Sequence, residues 1–158
     1  MARIYVETSF VSACVTDRTD AASVYRQQVS QDWWRSQSSK HELAVSAEVV
    51  AELSEPSYRG RIAALEWIGG LPLLAVTAEV RGLAKVLVRE KVMPGPLAGD
   101  AVHVACACWH GIDYIVTWNV RHLANPNKLT HLRTIALRLG LVAPQIVTPD
   151  LLWEEDDL

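Results

Sequence analysis

Five short apolar runs recur along this chain, none with the alternation of polar and apolar residues that marks a half-exposed strand. They are Arg3-Ile4-Tyr5-Val6, Leu43-Ala44-Val45, Leu73-Leu74-Ala75-Val76, Tyr114-Ile115-Val116-Thr117 and Gln145-Ile146-Val147-Thr148. A strand with one face in water alternates, whereas a strand covered on both faces stays apolar throughout. Strands of the second kind, separated by helical patterns, predict an α/β fold: a three-layer α/β/α sandwich around a mostly parallel sheet of about five strands.

The intervening segments supply those helices. Thr8 or Ser9 reads as the cap of a helix beginning near Phe10, and Asp20 to about Ser36 as a longer one with Val24, Tyr25, Val29 and the Trp33-Trp34 pair on its apolar side. Residues 36–40 read as a loop. Ser46 caps a helix carrying Val49, Val50 and Leu53, closed by Pro56. Arg59 to Ile68 follows, with Ile62, Leu65 and Ile68 on one face and Gly69-Gly70 as its stop. Thr77 caps a helix with Val80, Leu83, Ala84 and Leu87 on one side, broken at Met93-Pro94-Gly95-Pro96. Ala98 to His110 is strongly apolar, and Leu129 to Leu139 is amphipathic. The pattern predicts a single domain over residues 1–150 and a short acidic tail over 151–158.

Half of the 158 residues are apolar, enough for a sizeable core, and no run approaches the roughly 20 apolar residues that span a bilayer. Glu7 interrupts the N-terminus too early for a signal peptide, so the expectation is a cytoplasmic protein. Cys14, Cys106 and Cys108 cannot close a disulfide framework, and the Cys-x-Cys pair lies where helical side chains diverge, so buried thiols are expected rather than zinc. The net charge of −3 owes four of its acids to Glu154, Glu155, Asp156 and Asp157; without them 14 acids face 15 bases. Bulk charge therefore neither favours nor excludes a polyanionic ligand.

In parallel sheets, ligands bind beyond the carboxyl ends of the strands, near the switch point of the topology. Glu7 ends the first strand, Glu52 sits in the helix after the second, Asp100 opens the most apolar helix, and Asn119 follows the fourth strand. Taken alone, Glu52 reads as a solvated helix acid, Asp100 as a helix cap and Asn119 as a turn residue. Together they predict one pocket. Carboxylates a few ångströms apart repel, so such a pocket calls for a cation, and this oxygen set suits Mg²⁺ or Mn²⁺. A divalent ion beside a phosphate suits hydrolysis of a phosphodiester.

These residues resemble the PIN-domain nucleases, in particular the VapC-type toxins of bacterial toxin–antitoxin pairs, over nearly the whole chain. The resemblance is carried by Ile4-Tyr5-Val6-Glu7-Thr8-Ser9, by Ser46 with Glu52-Leu53, by Gly99-Asp100-Ala101-Val102-His103-Val104-Ala105, and by Asp113-Tyr114-Ile115-Val116-Thr117-Trp118-Asn119. It implies a PIN-like fold, cleavage of single-stranded RNA with Mg²⁺ or Mn²⁺, a homodimer, and an antitoxin partner. By position, it implies that Glu7, Glu52 and Asp100 bind the metal, that Asn119 stands where many members have a further acid, and that Thr8 or Ser9 orients a ligand or water. The first acid is usually aspartate, so Glu7 and Asn119 are departures; a branch with the same Glu-Thr-Ser and Thr-Trp-Asn pair reads them as a variant site. A non-catalytic module that only holds RNA or protein is the alternative reading. A receiver-like signalling domain lacks support, because Glu7 is followed by Thr8 and Val76 by Thr77.

Further candidates surround these. His103 shares a helix face with Asp100 and reads as a core histidine or as a contact to substrate or to a metal-bound water. His122 and Arg121 stand where they could approach the same pocket, Arg121 toward a phosphate. His110 reads as a helix C-terminal residue, while His41 and His131 suggest no role. Arg81, Lys85 and Arg89 form a basic helical stripe, solvated by default and an RNA contact by hypothesis. Of the adjacent Trp33 and Trp34, one is expected to be exposed; Trp67, Trp109 and Trp153 are expected in the core or an interface.

Overall fold

The computed structural model describes residues 1–155; the last acids of the tail, Asp156 and Asp157, lie outside the described residues. The five expected strands all form: β1 (Arg3–Val6), β2 (Glu42–Ser46), β3 (Leu73–Leu74), β4 (Tyr114–Val116) and β5 (Gln145–Val147). They make one sheet in the order β3-β2-β1-β4-β5, and every described pairing is parallel. The helices are α1 (Thr8–Val15), α2 (Ala21–Gln37), α3 (Ala47–Leu53), α4 (Arg61–Ile68), α5 (Ala78–Arg89), α6 (Asp100–Trp109) and α7 (Pro126–Arg138). The connections β1–β2 and β2–β3 run one way across the sheet, while β3–β4 and β4–β5 run back. Right-handed crossovers therefore put α1 to α4 on one face and α5 to α7 on the other. The packing agrees, with α1 against α2 and α4, and α5 against α6.

Ile4, Tyr5, Val6, Ile115 and Val116 are fully buried, as the lack of alternation in these strands requires. Among the described residues, no helix is long and apolar enough to cross a membrane. The topology changes direction between β1 and β4, whose carboxyl ends are Val6 and Val116 in register. That is the switch point.

Several local expectations are corrected. Helix α1 starts at Thr8, because the Glu7 carboxylate itself accepts the Ser9 N–H and serves as the cap. Helix α7 starts at Pro126, earlier than its apolar pattern, because Asn125 caps it and proline suits the first turn. Strand β3 keeps only two residues, since β2 passes into α3 at Ser46 and leaves this edge strand nothing more to pair with. Residues 38–40, expected as loop, form a 3₁₀ turn. The buried face of α2 is Ser30, Trp33 and Gln37, while Val24 and Tyr25 are about half exposed. Two polar residues can be buried there because both are paired: Ser30 accepts from the Trp118 indole at 2.7 Å, and Gln37 bonds the backbone of Glu154 in both directions. On α4, Ile62 faces solvent, and Ala64 and Ile68 are the buried residues.

Trp33 is fully buried, edge-on to Phe10, and its indole donates to the Leu152 carbonyl at 2.6 Å. Trp34 is half-buried between Phe10 and Trp67, so neither member of the pair is free. Trp109 and Trp153, expected in the core or an interface, are 44% and 45% exposed and so are not core residues.

All three cysteines are buried and unpaired. Burial pushes Cys14 and Cys108 up to about 12 and Cys106 up to about 11. At pH 8 even the lowest of these holds on the order of a thousandth of its molecules as thiolate. Iodoacetamide at pH 8 should therefore leave the folded protein unmodified over hours and add three adducts once it is unfolded, as read by intact-mass spectrometry. Rapid alkylation of the native chain would contradict the placement of α1 and α6.

Candidate metal centre

At the switch point, the Glu7 N–H donates to the Val116 carbonyl at 3.2 Å, extending the β1–β4 ladder by one residue and turning the Glu7 side chain in beside Thr117. Glu7 is only 4% exposed. Its Oε2 accepts three hydrogen bonds: from the Ser9 N–H at 2.9 Å, the Ser9 hydroxyl, and the Thr117 hydroxyl at 2.8 Å. Its Oε1 accepts none of these and lies 4.0 Å from His103 Nε2. Burial pushes the Glu7 carboxyl up, against the opposing pull of His103, Ser9 and Thr117.

Glu52 comes from α3, which starts where Ser46 at the end of β2 accepts the Glu48 N–H. Its Oε1 accepts from the Thr8 hydroxyl at 2.7 Å and from His103 Nε2. Its Oε2 faces the start of α6, 3.8 Å from where a Cβ on Gly99 would stand. Burial works against its charge, but the hydrogen bond and charge of His103, with the Thr8 hydroxyl, outweigh it and hold the carboxyl below its ordinary range.

Each glutamate thus has one oxygen tied to protein donors and, among the described residues, one left open. That division is what a metal ligand needs: a fixed orientation and a free lone pair.

His103 is fully buried on α6 and bonded at both nitrogens. Nδ1 meets the Tyr5 hydroxyl at 2.6 Å, which also reaches Ser46 Oγ at 2.7 Å. Burial works against the imidazolium, but the Glu52 hydrogen bond and the charges of Glu7, Glu52 and Glu48 outweigh it and raise the pKa. Burial raises Tyr5 well above its ordinary value, so it stays a neutral phenol. One atom from each of Glu7, Glu52 and His103 lies within 4.8 Å of the others, the spacing of a metal-ligand set. A carboxylate oxygen only accepts, so His103 Nε2 must carry its hydrogen toward Glu52. His103 is therefore a donor that fixes Glu52, and the open oxygens belong to the acids.

Asp100 is the first residue of α6, three before His103. Gly99, at φ +58°, makes the turn into this helix, and its N–H donates to Glu48 Oε1 at 2.7 Å. Asp100 Oδ1 accepts from the Asn119 side-chain amide at 3.3 Å. Asn119 in turn donates its N–H to the Thr117 hydroxyl at 3.0 Å, and that hydroxyl donates to Glu7. One chain of hydrogen bonds thus joins Asp100, Asn119, Thr117 and Glu7, while a second joins Thr8, Glu52, His103, Tyr5 and Ser46.

Of the sequence candidates, the structure brings together Glu7, Glu52, Thr8, Ser9 and His103, with Asp100 and Asn119 linked at one side. Thr8 and Ser9 hold carboxylates. Arg121 is exposed, and His122 enters through its backbone N–H, which donates to Asn119 Oδ1 at 3.1 Å. Tyr5, Ser46, Glu48 and Thr117 were not among the candidates. Thr117 alone was signalled, since parallel register sets the residue after Val116 beside the residue after Val6.

No protein-family model matches this sequence, and no curated protein matches it. Solved structures do. The VapC20 toxin of Mycobacterium tuberculosis, a sarcin-ricin loop cleaving toxin, is 24% identical, with 75% of this chain and 91% of that one aligned at a TM-score of 0.56. A DNA-bound VapBC complex from Salmonella typhimurium matches at 14% identity and a TM-score of 0.59, covering 94% of this chain and 99% of that one. VapBC2 of Rickettsia felis, bound to a fragment of its promoter, matches at 13% and 0.53, covering 96% and 99%. At these identities the likeness is one of fold. The chain has the fold of the VapC-type PIN domains.

Proposed function

We propose that the chain is a metal-dependent endoribonuclease that hydrolyses phosphodiester bonds of single-stranded RNA, acting as the toxin of a type II toxin–antitoxin pair. The observation that carries this reading is the division of labour within the two glutamates at the switch point: one oxygen of each is held by protein donors and the other, among the described residues, is open, with Asp100 tied to Glu7 through Asn119 and Thr117. The neighbouring toxin cleaves the sarcin-ricin loop, an RNA, and other neighbours are toxin–antitoxin complexes, which supports an RNA substrate and an antitoxin partner.

The donor set fits a hard cation. All open atoms are carboxylate oxygens, as Mg²⁺ and Mn²⁺ prefer, and the buried thiols stand apart. Glu7, Glu52 and Asp100 would hold the ion, which supplies an acidified water and a counter-charge to phosphate. The rest is the work of this chain. Ser9 and Thr117 fix the Glu7 rotamer, and Thr8 and His103 fix Glu52. Asn119 holds Asp100 without adding a like charge. A homodimer and cytoplasmic action belong to the same proposal.

Three outcomes follow from it. Cleavage of a labelled single-stranded RNA should require Mn²⁺ or Mg²⁺, stop with EDTA, and fall by about 100-fold or more in Asp100→Asn or Glu52→Gln. Full cleavage by Asp100→Asn, measured as initial rates, would defeat the reading. Mn²⁺ at about a hundredfold excess over its Kd should add about 2.7 kcal/mol of stability, several degrees in a thermal melt, and the gain should vanish in a Glu7→Gln/Glu52→Gln double variant. His103→Leu, which releases Glu52 Oε1, should weaken Mn²⁺ binding by roughly 10–100-fold in calorimetry, with Tyr5→Phe milder because Nδ1 loses only its remote partner. Unchanged Mn²⁺ affinity in His103→Leu would show that Glu52 needs no such support.

A further inference from the structure

Beside the acid cluster lies a cleft of about 840 Å³ whose wall includes Ser9, which bonds Glu7, and Asn119, which bonds Asp100. The loop after α1, the first turns of α2 and the loop between α3 and α4 bring Arg18, Arg26 and Arg59 to this hollow, against Asp17 as its one acid. A chain with net charge −3 has thus gathered positive charge beside its most acidic site. The basic stripe of α5 is not part of this cleft.

The arginines are not equivalent. Arg59 is paired with Asp17 at 3.1 Å, and Arg18 with Asp20 at 3.2 Å. Arg26, among the described residues, has no carboxylate within ion-pair distance. Its guanidinium lies over the Trp118 ring, 5.5 Å from the centroid. Trp118 is itself fixed, by its indole on Ser30 and by its backbone N–H on Ser9 Oγ at 2.8 Å. That serine hydroxyl also donates to Glu7. A planar cation stacked on a held ring has lost much of its freedom already and keeps its outward N–H groups unspent. The ring beneath it, Trp118, is the residue next to Asn119, the partner of Asp100.

We propose that this cleft is the seat of the RNA segment flanking the scissile phosphate, with Arg26 as the anchor for a neighbouring phosphate. The inference rests on the ribonuclease reading above and names where that substrate lies. Positive charge alone would fit duplex or single strand. A concave hollow with the half-buried Tyr58 in its wall suits unpaired bases, which a duplex keeps stacked within itself. Arg59 is the second phosphate contact, exchanging Asp17 for the strand.

The test is single-turnover cleavage of a labelled single-stranded RNA with Mn²⁺, run over a range of protein concentrations so that affinity and limiting rate separate. Arg26→Ala should weaken the apparent affinity about tenfold and leave the limiting rate within about twofold, with the slope of log affinity against log salt falling by about 0.7. Arg26→Lys, which keeps charge but loses the planar stacked fork, should recover only part of the affinity. Arg138→Ala on α7, outside the cleft, removes the same charge and should change little. Arg26 is exposed, so its removal leaves the core intact. If the wild type cuts and Arg26→Ala binds as well as it does, the cleft is not the substrate seat, although the nuclease reading stands. Tighter binding of a duplex than of the single strand would overturn the single-strand assignment. A wild type that neither binds nor cuts RNA defeats both.

Discussion

Like charges brought together at the head of a parallel sheet are the constraint around which this molecule is arranged. Glu7 is nearly sealed from water, with the more exposed Glu52 close by, and without compensation the Glu7 carboxylate would be driven out or protonated. The compensation is built from three segments: the start of α1, the end of β4 and α6. Ser9 and Thr117 serve Glu7, while Thr8 and His103 serve Glu52. His103, whose pKa the glutamates around it raise, turns its Nε2 hydrogen toward Glu52. Saturating one oxygen of each acid fixes its direction, and leaving the other bare creates the demand for a cation. Stability and reactivity are thus divided between the two oxygens of one group.

The fold makes this possible by topology rather than by any single motif. Connections leave β1 and β4 in opposite directions, so no helix covers the gap between their carboxyl ends. Glu7 and Thr117 occupy that gap because Val6 and Val116 are in register. The helices that follow β2 and precede β4 then point Glu52 and Asp100 toward it from the sides. Tyr5, one residue before Val6 and fully buried, reaches Ser46 and His103 and so locks the second strand and the central helix to the first. Four separate elements are held to one geometry by hydroxyls a few residues from the acids they serve.

Much of this could be read from the chain because its signals are local or periodic. Runs without alternation gave buried parallel strands, and the acids at their ends gave the pocket. Ser46 and Thr77 marked helix starts that the structure retains. What could not be read was any bond between residues far apart in sequence. Nothing in the pattern ties Tyr5 to His103, 98 residues on, or Trp33 to Leu152, 119 residues on. The apolar face of α2 was misplaced for the same reason: Ser30 and Gln37 look like surface residues until their partners on other elements are known. Arg26 drew no notice, because its meaning lies in the Trp118 ring beneath it.

Asn119 shows how an amide among carboxylates can be a consistent part of a site. Its amide donates to Asp100, and its carbonyl oxygen accepts from the His122 N–H. An aspartate at this position could accept the second bond but could not donate the first. It would instead set a further negative charge against Asp100, beside two glutamates that already repel, and would call for more cation to hold the group together. With the amide, one acid fewer needs neutralising, and Asp100 is oriented by a neutral neighbour. The longer Glu7 fits the same economy of charge: its extra methylene carries the carboxylate as far as Thr117 and Ser9, and the two hydroxyls there replace what an additional positive group would otherwise supply.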